Sequence, residues 1–175
     1  MNRRLLLAVL LVPMLAGANP PELNDWKPQG AATLRFFGLR IYEARLWTKG
    51  SAVDAANWAT TPLALELTYA RSLSGKEIAK RSLVEMRRQA EISVANAEKW
   101  LTEMEAAFPD VKEGDRISGV ITEPGAGIQF FINGKPGRKV ADAAFARLFI
   151  GIWLAPQTSE PALRKALLES PGVGQ

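Results

Sequence analysis

The stretch that decides the fold is residues 30–47, Gly-Ala-Ala-Thr-Leu-Arg-Phe-Phe-Gly-Leu-Arg-Ile-Tyr-Glu-Ala-Arg-Leu-Trp. It is rich in β-branched and aromatic residues, and Gly38 divides it into two segments. Segments of this composition, separated by a turn residue, are typical of strands. In the second segment polar residues alternate imperfectly with apolar ones, which indicates a strand with one wet face. The stretch therefore predicts two neighbouring strands, at residues 31–37 and 39–47.

The rest of the chain contains further strand patterns and four amphipathic helix patterns. Asn133-Gly134 is a strong hairpin signal, because both residues tolerate positive φ. Strands that belong to separate hairpins, together with clustered helices, predict an α+β domain rather than a sheet of βαβ units. The predicted strands lie at residues 63–69, 116–122, 128–132 and 138–140, and the predicted helices begin near Ser74, Ser93, Asp142 and Thr158.

Two of these helices follow one another between the third and fourth strands. Ser74 and Glu77 have the S-x-x-E spacing of a capping box, which predicts a helix over residues 75–89. Ser93 has the residue type of an N-cap, and Pro109 ends the second pattern. Because both helices are amphipathic and adjacent, we expect them to cover one face of the sheet.

The first eighteen residues have the pattern of an export signal. Arg3 and Arg4 supply a positive start, residues 5–15 are apolar apart from Pro13, and Ala16-Gly17-Ala18 is a small-x-small cleavage site. The apolar run is shorter than the roughly 20 residues that a spanning helix needs. We therefore expect a signal peptide at residues 1–18, an extended lead-in at 19–29 and one domain at 30–170. The expected location is a bacterial periplasm, with no stable membrane anchor after cleavage.

Composition excludes several classes of function. The chain has 175 residues, 47% of them hydrophobic, with no Cys and no His. This excludes disulfides, Cys or His zinc sites and Ser-His catalytic groups, and we expect no metal and no cofactor. Without residues 1–18, 20 basic residues face 18 acidic ones, a net charge of +2. A domain so nearly balanced has no electrostatic reason to bind nucleic acid.

Arg35 is the residue that physical chemistry singles out. It lies in an apolar strand between Leu34 and Phe36, where a guanidinium is costly unless it reaches water, a carboxylate or a bound anion. Tyr42 follows on the next strand. If both side chains face one cavity, they can clamp a carboxylate or a polarised carbonyl. The alternative is an Arg35 at an exposed edge and a Tyr42 in the core. Strand register decides between the two, because a one-residue slip moves a side chain to the other face.

Residues 30–47 are the first of a series of motifs, which continues at residues 73–78, 108–115, 130–134, 149–154 and 158–163. In this order and at this spacing the motifs resemble the chalcone isomerase-like family, specifically its exported bacterial branch. The resemblance covers about residues 30–168. It implies an open-faced β-sandwich, in which helices cover a large antiparallel sheet and the ligand cleft lies between sheet and helices.

The resemblance also carries over site positions. In plant chalcone isomerases an Arg near the start of the sheet, a Thr on the next strand, and a Tyr, a Lys and an Asn on the following helix hold the flavonoid and assist an intramolecular Michael addition. Here Arg35 matches the Arg, Tyr42 takes the place of the Thr, and Ile78 that of the Tyr, while Arg81 and Glu85 take the places of the Lys and the Asn. An isoleucine cannot hydrogen-bond an enolate, so the isomerase activity is not expected to be preserved.

Fatty-acid-binding members of the same fold use an Arg and a Tyr at the two strand positions, and Arg35 with Tyr42 reproduces that pair. The resemblance therefore implies a non-catalytic binder of a fatty acid, another lipophilic carboxylate or a flat aromatic ligand. The expected ligand-binding residues are Arg35, Tyr42, Ile78, Arg81 and Glu85. The apolar lining of the cleft is expected to include Ile78, Leu83, Phe130 and Phe149.

Two alternatives stay open at this point. The first is an isomerase, an intramolecular lyase that acts on a chalcone-like enone. Arg35 would then stabilise the developing negative charge, with Tyr42 or Arg81 assisting. The second is a structural or interaction domain whose cleft is filled by the bulky side chains of Phe37, Trp47, Phe130 and Trp153.

Overall fold

The computed structural model describes residues 19–169. The expected signal peptide at residues 1–18 and the last residue of the expected domain, 170, lie outside the described residues. Within residues 19–169 no helix is long and apolar enough to cross a membrane. A short 3-10 helix (Pro21–Leu23) comes first. It is followed by the strands β1 (Lys27–Phe36), β2 (Leu39–Thr48) and β3 (Leu63–Tyr69), the helices α1 (Gly75–Met86) and α2 (Val94–Ala107), the strands β4 (Arg116–Ile121), β5 (Ile128–Ile132) and β6 (Lys135–Val140), and the helices α3 (Ala143–Leu154) and α4 (Pro161–Leu168).

The six strands form one antiparallel sheet whose spatial order is the order of the chain. Asn133 and Gly134 both have positive φ, 49° and 81°, in the turn between β5 and β6. The predicted hairpin and the predicted α+β class are thus confirmed. Short turns suffice for most of this sheet, since antiparallel neighbours need no crossover connection.

The helices cover one face of the sheet, and an aromatic cluster lies at the centre of the core between them. Phe130 of β5 contacts Phe108, Phe145 and Phe149, with ring centroids 5.1 to 6.4 Å apart. The rings meet edge to face, the arrangement that the charge distribution of aromatic rings favours. Phe130 and Phe145 are fully buried, so this cluster anchors α3 to the sheet.

The opposite face of the sheet is partly covered by the residues that precede β1. Leu23 and Trp26 pack with Trp47 and Val120 in a small second core. Glu22 adds a polar contact, because one of its carboxylate oxygens accepts a hydrogen bond of 3.0 Å from the Ser118 hydroxyl. The sequence predicts an extended lead-in at residues 19–29. In the structure this segment contains the 3-10 helix and the first residues of β1, because burial of its apolar side chains orders it.

Helix α1 begins at the predicted residue, but the group that caps it is not the predicted one. Ser74 occupies the N-cap position without a side-chain capping hydrogen bond, and Glu77 binds the Lys80 ammonium at 3.1 Å. The predicted capping box is therefore wrong. Instead, the carboxylate of Asp110 accepts a hydrogen bond of 2.9 Å from the backbone N–H of Gly75. A residue far along the chain thus satisfies one of the N–H groups at the start of α1 that have no partner within the helix.

Candidate ligand-binding cleft

A cleft of about 400 Å³ lies between the helices and strands β1 to β4. This volume is within the range of about 300 to 1,000 Å³ that is usual for small-molecule sites. Several charged or exposed residues lie along its rim, so the cleft opens to solvent on that side. Most of its lining is apolar: Leu34, Phe36, Ile41, Leu67, Leu73, Ile78, Phe108, Ile117, Phe149, Ile152 and Trp153.

Tyr42 brings a polar group from β2 into this apolar lining. Its hydroxyl oxygen accepts a hydrogen bond of 3.0 Å from the indole Nε1 of Trp153 on α3. Burial raises the pKa of Tyr42 to about 12, although the bond from Trp153 lowers it. The phenol is therefore protonated at neutral pH. Within residues 19–169 its hydroxyl enters no other hydrogen bond, so its hydrogen is available to a ligand oxygen.

Tyr69 is a second phenol in the cleft, and it is not among the site residues expected from the sequence. It pairs directly with Tyr42 across β2 and β3, and the two rings meet edge to face at 6.0 Å. Burial raises the pKa of Tyr69, and the neighbouring Tyr42 adds to the shift. The sequence signal for Tyr69 was its position two residues after Leu67, because side chains two positions apart along a strand share a face. The cleft thus holds two neutral phenols side by side.

Helix α1 supplies most of the charged groups of the cleft. Ile78, Arg81, Ser82 and Glu85 all line it, because positions at three- and four-residue spacing lie on one face of a helix. The side chain of Glu85 is only 8% exposed, and its carboxylate lies 2.6 Å from the guanidinium of Arg81, which is 72% exposed. A buried anion is thus paired with an exposed cation beside the apolar lining to which Ile78 belongs.

Acidic residues outnumber basic ones at the mouth. Glu77 and Glu160 line the cleft together with Glu85, whereas Arg81 is the one Lys or Arg among the lining residues of the described chain. Arg81 is therefore the cation that the lining offers to an anionic ligand. In the same part of the chain, residues 19–169, no group of three or more carboxylates is arranged to hold a metal ion.

Arg35 lies outside the cleft, so the expected clamp of Arg35 and Tyr42 is not formed. Leu34 pairs with Tyr42, and the register shifts between Leu34 and Arg35. Leu34 and Phe36 both line the cleft, which places the intervening Arg35 on the other face of the strand. Its guanidinium is exposed and donates a hydrogen bond of 3.3 Å to the carbonyl oxygen of Gly38. Of the three candidate catalytic residues, Tyr42 and Arg81 line the cleft and Arg35 does not.

The expected apolar lining is present only in part. Ile78 and Phe149 line the cleft. Leu83 and Phe130 are instead buried in the core between helices and sheet. Leu83 faces the core because it is five residues from Ile78, which turns it away from the cleft face of α1.

The alternative of a filled cleft requires four bulky side chains that the structure does not bring together. Phe37 is at the exposed tip of the β1–β2 hairpin. Trp47 belongs to the small core on the opposite face of the sheet, and Phe130 belongs to the main core. Only Trp153 lines the cleft, and the cleft remains open beside it.

Comparisons with known proteins agree with this architecture. Residues 22–169 match the family model described as chalcone isomerase-like. An uncharacterised protein of Haemophilus influenzae is 29% identical over 159 residues, which are 91% of this chain and 76% of that protein. A fatty-acid binding protein of Arabidopsis thaliana has the same fold, with a TM-score of 0.61 at 11% sequence identity over 83% of this chain and 87% of its own. The resemblance noted in the motifs is confirmed: this chain belongs to the chalcone isomerase-like family.

Proposed function

We propose that this protein is an exported, non-catalytic binder of a fatty acid or a similar lipophilic carboxylate. The observation that carries the proposal is the apolar cleft of about 400 Å³ with polar groups gathered around Tyr42 and Arg81. A fold shared with a fatty-acid binding protein supports the same class of ligand. Support for export comes from the signal pattern at residues 1–18.

The hydrocarbon part of the ligand is assigned to the apolar wall of the cleft. Ile78 of α1, Leu67 of β3 and Phe149 of α3 present this wall from three sides. Each methylene removed from water contributes about 0.8 kcal/mol to binding. An alkyl chain needs no specific hydrogen bonds, and this wall provides none.

The carboxylate of the ligand is assigned to Arg81 and Tyr42, because Arg35 does not reach the cleft. Glu85 contacts one terminal nitrogen of Arg81, and a guanidinium has five N–H donors, so donors remain for a second carboxylate. The O–H of Tyr42 supplies a neutral donor beside it. Tyr42 and Arg81 are close enough that the guanidinium lowers the pKa of Tyr42, as the smallest of several effects after burial.

Titration with palmitate, measured by calorimetry on protein from cells that express the full chain, tests the cleft. Ile78→Trp places a large side chain into the apolar wall and is expected to weaken binding at least about tenfold. Val84→Trp is the matched control, since Val84 is an exposed residue of the same helix. Equal affinity of the wild type and Ile78→Trp would contradict the assignment to the cleft.

The head-group assignment has its own ligand control. Arg81→Gln is expected to weaken palmitate binding by about tenfold while leaving the affinity for palmitic acid methyl ester, which carries no charge, within twofold. If both ligands lose affinity equally, Arg81 does not bind the carboxylate.

Turnover of a chalcone that disappears in Arg81→Gln and Tyr42→Phe would replace the proposal with an isomerase. Cell fractionation and an N-terminus at Asn19 test export.

A further inference from the structure

The tip of the β1–β2 hairpin, residues 35–40, exposes three large apolar side chains. Phe36, Phe37 and Leu39 are 63%, 90% and 53% exposed. They are neighbours on one short turn, and the rings of Phe36 and Phe37 touch edge to face at 4.5 Å. Single exposed apolar residues are ordinary on protein surfaces, whereas a contiguous patch marks an interaction site. This hairpin tip is such a patch.

The backbone of the tip shows that folding stability does not explain Phe37. Phe37 has a φ of 47° and Gly38 a φ of 78°. Glycine adopts positive φ freely, but a bulky aromatic residue there is strained. Because Phe37 is almost fully exposed, burial of its ring within the domain does not offset the energy of this strain. Strain retained at an exposed site is typical of a functional position.

Two cations flank the apolar tip. Arg35 of β1 lies opposite Arg40 of β2 in the register of the hairpin, and both are exposed. Among the described residues no carboxylate lies within ion-pairing distance of either. Apolar groups flanked by arginines match the surface of an anionic bilayer, where rings enter the acyl boundary and guanidinium groups bind phosphates. A stable protein interface needs about 800 Å² on each partner, more than six residues at a turn provide.

The tip also adjoins the cleft. Phe36 lines the cleft, and Ile41, immediately after the tip, lines it as well. We propose that the hairpin tip inserts reversibly into the surface of an anionic lipid bilayer and so brings the mouth of the cleft to the membrane. The membrane contact does not depend on the proposed function. Only the transfer of a lipophilic ligand between bilayer and cleft rests on the proposed function.

Flotation with lipid vesicles tests the membrane contact. The wild type is expected to float with vesicles of equal parts phosphatidylglycerol and phosphatidylcholine, to be released by high salt, and to stay with the unbound fraction when the vesicles are phosphatidylcholine alone. Phe37→Asn is expected to weaken binding about tenfold. Asn tolerates positive φ, so this variant keeps the fold. Arg35→Gln combined with Arg40→Gln is expected to weaken binding by about tenfold or more.

Matched controls exclude a general effect of surface composition. Val94→Asn removes an exposed apolar side chain from α2, and Arg87→Gln removes an exposed cation after α1. Both are expected to bind vesicles like the wild type. A wild type that does not float with anionic vesicles, or tip variants that float equally well, would overturn the proposal. A complex with another protein that needs the tip, without vesicle binding, would overturn it too.

The two proposals fail separately. Phe37→Asn is expected to keep the affinity for palmitate in solution, because Phe37 does not line the cleft. Vesicle binding without any palmitate binding would leave the membrane contact standing and remove the proposed function. Palmitate binding without vesicle binding would leave the proposed function standing and remove the membrane contact.

Discussion

The hydroxyl oxygen of Tyr42 accepts a hydrogen bond of 3.0 Å from the indole nitrogen of Trp153. This bond joins β2 to α3 across the cleft and holds the helix against the sheet while the space beside it stays open. Tyr42 thus supports the cleft wall, and in the proposed function it also donates a hydrogen bond to the ligand. Its two roles separate in experiment, because the first affects stability and the second affects binding.

Removal of the Tyr42 hydroxyl is expected to destabilise the fold. In Tyr42→Phe the indole N–H of Trp153 loses its acceptor in a largely apolar environment, at a cost of about 1 to 3 kcal/mol. Urea unfolding at neutral pH measures this free energy. Tyr69→Phe is the control, since within residues 19–169 no hydrogen bond of its hydroxyl is present, and a smaller loss is expected. Equal losses would show that the bond to Trp153 adds nothing to stability.

The stability of the protein is expected to fall at alkaline pH, in part because of Tyr42. Burial raises its pKa in the folded state to about 12 from an ordinary value of 10.0. A raised pKa means that the folded state holds the proton more tightly, so this stabilisation is complete below about pH 10 and is lost towards pH 12. Urea unfolding between about pH 9 and about pH 11 is expected to show a shallower decline for Tyr42→Phe. A decline as steep as that of the wild type would contradict this assignment.

Gly75 is expected to be intolerant of any side chain. A Cβ there would clash with the carbonyl oxygen of Phe108 and lie 2.7 Å from the carbonyl carbon of Pro109, both of them backbone atoms. Gly75→Ala must push α1 away from the segment after α2, at a cost of about 3 kcal/mol. Gly50→Ala is the control, because a Cβ there meets nothing within 4 Å at a φ of 92°, and about 1 kcal/mol is expected. Thermal unfolding of both variants gives the comparison.

The stability of the protein is expected to fall at acid pH, in part because of Asp142. Burial alone would raise its pKa, but hydrogen bonds from the Phe145 backbone, Trp100 and Lys99 hold the pKa below the ordinary 3.8. A lowered pKa stabilises the fold above about pH 4, and this contribution is lost as the pH falls through the folded-state value. Asp142→Asn keeps a capping oxygen for the Phe145 N–H but loses the charge and the second oxygen that bind Lys99 and Trp100, and is expected to cost about 1 kcal/mol at neutral pH. It should also lose less stability on acidification than the wild type does, and an unchanged acid profile would contradict this account.

Glu85 is expected to restrain the binding of a carboxylate. Its buried carboxylate occupies part of the Arg81 guanidinium at 2.6 Å and repels a second anion. Glu85→Gln keeps the shape of the side chain and is expected to tighten palmitate binding severalfold, with no change for the methyl ester. Calorimetric titration of both ligands measures this. Weaker palmitate binding in Glu85→Gln would contradict the assignment of the head group to Arg81.

The sequence alone determined the elements of the fold. Residues 30–47 predicted the first hairpin, and Asn133-Gly134 predicted the last one, since composition, alternation and turn residues act within a few positions of the chain. The family resemblance named Ile78, Arg81 and Glu85, whose three- and four-residue spacing places them on one face of α1. Motif order also identified the family, which residues 22–169 confirmed.

Only the tertiary structure decided which strand residues meet in the cleft. Leu34, and not Arg35, shares a face with Tyr42, because pairing between β1 and β2 shifts by a residue next to the tip. Tyr69 joins Tyr42 through the register of β2 with β3. Side chains alternate with a period of two, so the face of each depends on pairing with a distant strand rather than on neighbours in sequence. That pairing moved the proposed carboxylate site from Arg35 to Arg81 and left Arg35 beside the exposed Phe37.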